Sequence, residues 1–263
     1  MNAPAAALLA ALLCVTPATA AVRVASLDQC ADQYVIALAP RASIVGVTGR
    51  ADDEDAWLRA RARGLPVRRP TAEAMLAAAP TVVVRYWGGD QRLLRTLERR
   101  GVRVAQIDEA TDFAGVRANV RRVAAALGAT AAGERLIRRM DADLRGASGA
   151  WQGRRALYVT PSGFTAGAGT LVDSALRAVG LRNVAGPGYA PVSLERLVLD
   201  PPGLFVKAFY EQRRSERRGP GRSGVVARLS RGRTAAELPG ALVTCPAWFA
   251  SEAAARLGKA APR

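Results

Sequence analysis

The sequence predicts an α/β protein made of two lobes with parallel central sheets, separated by a long helical segment. Three observations carry this. Apolar runs of strand length alternate with stretches of helical periodicity along most of the 263 residues, and such runs imply sheets covered by helices on both faces. A helical stretch from Asp112 to Leu144 divides two regions of that character. A short unit also recurs. Thr71-Ala72-Glu73-Ala74-Met75-Leu76, then Pro80 and Val82-Val83-Val84, aligns without a gap on Ser193-Leu194-Glu195-Arg196-Leu197-Val198, then Pro202 and Leu204-Phe205-Val206, at an offset of 122 residues. Each copy is a hydroxyl cap, an acid at the second following position, an apolar pair, a proline and a strand.

Val22 to Ala25 is the first strand, and Asp28 precedes the helical pattern of Tyr34, Val35, Leu38 and Ala39. Ile44 to Val47 is the next strand, followed by the acidic run Asp52 to Asp55 that leads into Trp57-Leu58. Thr71 caps a short helix ended by Pro80, before the strand Thr81 to Val84. Gln91 to Arg100 is helical, Gly101 stops it, and Val102 to Ile107 is a strand. The stretch Asp112 to Leu144 is interrupted near Gly128-Ala129-Thr130. Beyond it come a strand Arg155 to Thr160, a helix Thr170 to Val179, a strand Leu204 to Val206 and a last helix Ala247 to Leu257. The expected organisation is a leader at 1–20, a first lobe at 21–111, a connecting helical segment at 112–148 and a second lobe at 149–263.

The leader is read from the apolar core Leu8 to Val15, too short for the roughly 18 residues that span a bilayer, running into Pro17-Ala18-Thr19-Ala20 with its small-x-small spacing. Cleavage would remove Cys14 and leave Cys30 and Cys245 in a compartment where disulfides persist. One bridge and two separate thiols both remain open at this level, since a bridge needs Cα atoms roughly 4.4–6.8 Å apart.

No His occurs anywhere in the chain, which excludes His-based catalytic triads and His-rich zinc centres. The net charge of +16 comes from 38 basic against 22 acidic residues, and of the basic ones only Lys207 and Lys259 are lysine. That pattern, with abundant Ala, is a habit of composition more than a polyanion site. Aromatic residues make up only 5% of the chain, too few to interleave with the arginines as stacking platforms, so no nucleic-acid partner is expected. The densest basic run, Lys207 to Arg233, contains Arg213 to Gly221, whose composition is that of a solvated loop.

The start Arg23-Val24-Ala25-Ser26-Leu27-Asp28-Gln29-Cys30-Ala31-Asp32-Gln33, then Ile44 to Val47, then the Thr71 to Val84 unit, resembles the periplasmic substrate-binding proteins of iron-siderophore and cobalamin ABC importers, the helical-backbone (class III) type. The Ser-Leu-Asp-x-Cys-x-Asp-Gln start resembles one branch in which a second Cys precedes the last helix, as Cys245 does. The resemblance implies two Rossmann-like lobes joined by one long backbone helix, with a ligand cleft between them. It also implies a monomeric periplasmic carrier that captures a metal chelate, a corrinoid or a ferric siderophore, and delivers it to a permease dimer with its ATPase. No catalysis, no resident cofactor and no protein-held metal are expected.

Cleft residues follow from loop position. They are Ser26, Asp28 and Gln29 after the first strand, Arg50 after the second, Tyr86, Trp87 and Gly88 after the third, and in the second lobe Phe164, Thr165, Tyr189, Tyr210 and Trp248. For each aromatic, core packing is the ordinary alternative. Arg50 and Arg85 suit ligand carboxylates or simple surface exposure. As residues alone, Glu73 and Glu195 are first-turn carboxylates favoured by the helix dipole; the resemblance implies that they meet permease arginines. It also places Cys30 and Cys245 beside the cleft. The rival class is an exported enzyme, for which the run Asp52 to Asp55, Ser162-Gly163 and Gly167-Ala168-Gly169 supply no acid/base pair, no triad and no complete dinucleotide loop.

Overall fold

A computed structural model describes residues 22–212 and 218–262. The expected leader, with Cys14, and residues 213–217 of the basic loop lie outside the described residues.

The first lobe runs β1 (Val24–Ser26), α1 (Gln29–Leu38), β2 (Ile44–Gly46), α2 (Arg59–Ala62), α3 (Ala72–Ala78), β3 (Val82–Arg85), α4 (Gln91–Arg99) and β4 (Arg103–Gln106). Its parallel sheet has the order β2-β1-β3-β4. Next come α5 (Phe113–Ala126) and α6 (Thr130–Ala147). The second lobe runs β5 (Arg155–Val159), β6 (Phe164–Ala166), α7 (Leu171–Ala178), β7 (Arg182–Asn183), β8 (Tyr189–Pro191), α8 (Leu194–Leu199), β9 (Leu204–Ala208), α9 (Gly224–Ser230), β10 (Thr234–Leu238) and α10 (Ala250–Lys259). Its parallel sheet reads β7-β5-β9-β10 from one edge. That is the order of the first sheet, strand for strand, with the capped helix of each repeated unit (α3, α8) feeding the equivalent strand (β3, β9).

Strand periodicity explains how the layers assemble. In β1 and β3, Val24, Val82 and Val84 face one large central core while Ala25 and Val83 face a separate cluster with Met75 of α3 and Leu93, Leu94 and Leu97 of α4. In β5 and β9, Ala156, Tyr158, Leu204 and Val206 face the same central core, and Leu157, Val159 and Phe205 face Leu197 of α8 and Val226 of α9. Residues of α1, α5, α6, α7 and α10 contribute much of the remaining central core, on the side that each sheet turns toward it.

The helical stretch expected from Asp112 is two helices. Asp112 caps α5 through Gly115 N–H, and the turn to α6 passes through Gly128 at φ +66°, a conformation that favours glycine. A Cβ on Gly133 would stand 2.6 Å from the Ala124 Cβ, so glycine lets α6 pack closely on α5. With 18 residues, about 27 Å of helix, α6 is the long backbone helix between the lobes. The last helix begins at Ala250, three residues later than expected, because the Ala250 N–H donates to the Ala247 carbonyl in a turn. The antiparallel pair of β6 and β8, and the elements β7, α9 and β10, were not anticipated from the sequence.

One polar knot holds the first lobe. Asp32, fully buried in α1, accepts hydrogen bonds from the Ser26 hydroxyl at the end of β1 and from both the backbone N–H (2.9 Å) and the hydroxyl (2.6 Å) of Thr48 beyond β2. Burial pushes its carboxyl up to about 6, partly offset by the bonds from Ser26 and Thr48. An unfolded aspartate titrates near 3.9. Between those values the folded state binds more protons, so this contribution is fully present below about pH 4 and is lost as pH rises through about 6. A two-unit shift amounts to about 3 kcal/mol. Asp32→Asn keeps an acceptor for Ser26 and for the Thr48 N–H and offers an N–H to the Thr48 hydroxyl. Urea denaturation should therefore show the variant gaining on the parent by about 2–3 kcal/mol between pH 4 and pH 7.5; a difference that does not vary with pH contradicts the assignment.

Candidate functional site

The two lobes meet over a floor built by α1 and the segment before α10. Cys30 in the first turn of α1 and Cys245 are joined by a disulfide, with Cα atoms 5.5 Å apart across 215 residues of sequence. One turn along α1, the fully buried Tyr34 donates its hydroxyl to the Pro246 carbonyl at 2.7 Å and meets the Trp248 ring edge to face at 5.2 Å. Ser251 of α10 donates to Asp143 of α6 at 3.0 Å, which ties the floor to the backbone helix.

Above this floor lies a cleft of about 130 Å³ between the lobes. Tyr86, Glu109 and Ala110 line it from the first lobe, and Leu171, Val172, Tyr189, Thr244 and Cys245 from the second. Tyr86 follows β3 and Glu109 follows β4, so the first-lobe wall comes from the carboxyl ends of parallel strands, where open sheets leave backbone and loop side chains free.

The loop after β3 is fixed by its backbone. Its N–H groups at Tyr86 (2.7 Å), Trp87 (3.2 Å) and Gly88 (2.9 Å) all donate to one oxygen of Asp28, whose other oxygen caps α1 through the Ala31 N–H at 2.9 Å. Arg85 donates to the Gly88 carbonyl at 2.7 Å and Gln106 to the Tyr86 carbonyl at 2.8 Å. Gly88 lies against the chain entering α1, where a Cβ would stand 2.0 Å from the Leu27 carbonyl oxygen. The Trp87 side chain is left 57% exposed.

The Tyr86 hydroxyl donates to a Glu109 carboxylate oxygen. Burial and then this hydrogen bond push the Tyr86 phenol well above its ordinary range, and burial with the Glu109 charge raises Tyr189 as well. On the facing lobe, Phe164 pairs with Pro191 and Ala166 with Tyr189 across the two-stranded antiparallel sheet of β6 and β8. Cross-strand partners share a face and residues two apart share it too, so Phe164 and Tyr189 point the same way. Both are exposed, by 48% and 64%.

Of the expected residues, Tyr86 and Tyr189 line the cleft; Trp87 and Gly88 follow Tyr86 in the same loop, and Phe164 lies on the Tyr189 face of β6 and β8. Other expected cleft residues are placed elsewhere. Ser26, Asp28 and Gln29 are buried and consumed inside the lobe: Ser26 on Asp32, Asp28 on the loop and cap, and Gln29 donating to Asp55 at 2.6 Å. Thr165 lies on the face of β6 opposite Phe164 and is buried. Trp248 is buried against Tyr34 and Phe249 in the floor. Arg50 is exposed but occupied by Asp53 and Asp55. Tyr210 is half-buried, donates to the Gly221 carbonyl at 2.6 Å and is flanked by Lys207 and Arg222. Glu73 and Glu195 are exposed in the first turns of α3 and α8. Sequence reasoning missed Glu109 and Thr244. Glu109 stands two residues beyond the strand Val102 to Ile107, so the loop rule applied to the other strands of that sheet would have found it. Among the described residues no group of three or more His, Cys, Asp and Glu is placed to hold a metal ion, and no helix is long and apolar enough to cross a membrane.

A family model described as periplasmic binding protein matches residues 24–208. The curated proteins yield no match. Among solved structures, the fold is similar to that of the periplasmic heme-binding protein RhuT from Roseiflexus sp. RS-1 in apo form, with 21% identity and a TM-score of 0.67 over 92% of this chain and 100% of that one. It is similar to the periplasmic heme-binding protein HutB of Vibrio cholerae, with 15% identity and a TM-score of 0.74 over 90% and 98% of the two chains. The periplasmic vitamin B12 binding protein BtuF of Vibrio cholerae gives 16% identity and a TM-score of 0.65 over 90% and 95%.

The contact between Gly88 and the Leu27 carbonyl supplies a direct check on the loop. Gly88→Ala is expected to lower stability by about 1–3 kcal/mol in urea denaturation, because backbone on both sides has to move. Gly146→Ala, which meets nothing within 4 Å, should not destabilise; equal losses in the two variants contradict the close approach.

Proposed function

The chain belongs to the periplasmic binding protein family, and from that premise we propose that it is the substrate-binding component of an ABC importer whose cargo is a metal macrocycle, ferric heme foremost. Members of this family bind solutes and do not transform them. The observation that carries the finer reading is the facing of Tyr86 and Glu109 on one lobe with Tyr189 on the other, in a chain without His. Phenol and carboxylate are hard oxygen donors suited to ferric iron, and tyrosine is one of the side chains that holds heme iron. The enclosed cleft is smaller than the roughly 300–1,000 Å³ of usual ligand pockets, so a macrocycle would extend to the rim, where Trp87, Phe164 and Tyr189 offer ring faces. The printed descriptions of similar structures, heme-binding for several and vitamin B12 binding for another, support a flat metal chelate as the ligand class.

When Tyr86 binds iron, its O–H bond breaks, the phenolate oxygen bonds the metal and the proton passes to Glu109 or to water. Because burial and Glu109 make that proton hard to remove, affinity should weaken as pH falls. The indole of Trp87 is equally suited to a corrin face, and a ferric siderophore would use the same oxygen donors.

Delivery is assigned to α3 and α8. In each lobe this helix precedes a parallel strand, so its N-terminus lies at the cleft end of the sheet and carries an exposed acid, Glu73 or Glu195. Leu76, three residues after Glu73, and Val198 and Leu199, three and four after Glu195, share those helix faces and are exposed. Apart from Val67, every exposed large apolar residue among those described stands either here or at the cleft rim. A permease presenting arginines beside apolar side chains would complement both helices.

Absorption titration with ferric heme, cyanocobalamin and a panel of ferric siderophores should give heme a Kd below about 1 μM, about 8 kcal/mol. Tyr86→Phe should weaken heme at least about tenfold and flatten the pH dependence. Tighter cobalamin binding that ignores Tyr86 would replace heme by a corrinoid, and no binding by any of them would defeat the uptake reading.

Glu73→Arg combined with Glu195→Arg should abolish uptake in cells while leaving ligand affinity intact. Unimpaired uptake, or a matching loss of affinity, rejects the docking assignment.

A further inference from the structure

We propose that Asp28 is the positioning residue of the ligand cleft: its carboxylate sets the place of Tyr86 and Trp87 and couples that place to the joint between the lobes. This deepens the cleft reading above and depends on it for the ligand. A helix cap needs one acceptor, and Thr71, Asp90, Asp112, Thr170 and Ser193 each cap their helices here by accepting one backbone N–H. Asp28 does that with one oxygen and has a second left over. The second oxygen takes three N–H groups from a loop 58 to 60 residues away in sequence. A serine or threonine could cap α1, but only a carboxylate can cap it and hold the loop as well.

The loop has few other means of holding its shape. The Trp87 ring is mostly in solvent, so packing does not fix it. Arg85 and Gln106 anchor loop carbonyls, while the three successive N–H groups all point at Asp28. No Lys or Arg forms an ion pair with Asp28 among the described residues, and these N–H dipoles stand where a counter-ion would. Two residues further along, Cys30 is bonded to Cys245 of the other lobe, which itself lines the cleft. The first turn of α1 therefore holds the ligand loop through Asp28 and the opposite lobe through Cys30, and a shift of one lobe against the other reaches Tyr86 through a single turn of helix.

Asp28→Asn keeps one acceptor oxygen and turns the other into a donor, so the cap and the three-way clamp can no longer both be made. Asp28→Ser retains the cap and lacks the clamp. Asp112→Asn, at the cap of α5, is the control for a cap substitution remote from the loop. Hydrogen exchange should speed at least tenfold at the amides of Tyr86, Trp87 and Gly88 in both Asp28 variants, with Val83 and Val84 of β3 unchanged and no effect in the control. Ferric heme affinity should fall at least tenfold in both Asp28 variants and the absorption spectrum of the bound heme should change, whereas the control keeps parental affinity and spectrum. Loop amides that exchange at parental rates overturn the clamp. Loosened amides with unaltered heme affinity and spectrum overturn its bearing on the ligand. If the parent protein itself fails to bind heme, the cargo reading falls, and the exchange rates alone decide the clamp.

Discussion

The joint between Cys30 and Cys245 is the constraint from which the rest of the architecture follows. Each sheet has its own outer helices and its own outer core, so either lobe could be imagined as complete. Beyond the central core that both sheets share, the lobes are pinned at the floor of the cleft by a covalent bond across 215 residues, backed by Tyr34 on Pro246 and Trp248. In the chain-entropy picture, closing a loop of this length disfavours the unfolded ensemble by roughly 5 kcal/mol, but the geometric consequence matters more. With the floor pinned and α6 and α10 running between the lobes as stiff helices, the lobes have little freedom to swing apart. On the proposed reading, the cargo meets the exposed rings of Trp87, Phe164 and Tyr189.

The chemistry of the cleft is shaped by what the scaffold has already consumed. Parallel strands end in backbone groups that need partners, and buried ones have to find them nearby. Here Asp28 and Asp32 meet that demand from within the lobe, Asp28 through the loop after β3 and Asp32 through the Thr48 N–H beyond β2, while Ser26 and Gln29 are spent on the Asp32 and Asp55 carboxylates. Polar side chains at the ends of the innermost strands are therefore spent on framework. The groups left facing the cleft come from further along the loops, as oxygen donors and aromatic rings.

This division explains what could be read from the sequence. The alternation of strands and helices was legible because buried parallel strands are uniformly apolar, and the 122-residue repeat reappears as two sheets of one strand order with an acid at each cleft end. The rule that strand-end loops line the cleft found Tyr86 and Trp87. At Ser26, Asp28 and Gln29 residue type alone does not separate a side chain that meets a ligand from one bonded to backbone or to another side chain of the framework. Thr165 was misplaced for a different reason: β6 has three residues, too few for alternation to reveal which side faces in, and its pairing with β8 crosses a whole helix. Trp248 was misplaced because an aromatic beside a cysteine suits a floor as well as a wall.

The missing histidine acquires its meaning from the same geometry. Among the described residues no group of three or more His, Cys, Asp and Glu converges on one point. The cleft offers instead one phenol on a carboxylate, a second phenol opposite, and ring faces at the rim. That set can supply one bond to a metal whose remaining positions are already filled, and it can cover the flat surface around it. The large positive charge plays little part in this: of the two arginines offered for ligand carboxylates, Arg50 is held by Asp53 and Asp55, and Arg85 donates to the Gly88 carbonyl and Gln106. On the proposed reading, selectivity comes from where Tyr86 and Trp87 are held, which is a matter of backbone position, set by a buried aspartate two residues ahead of the disulfide.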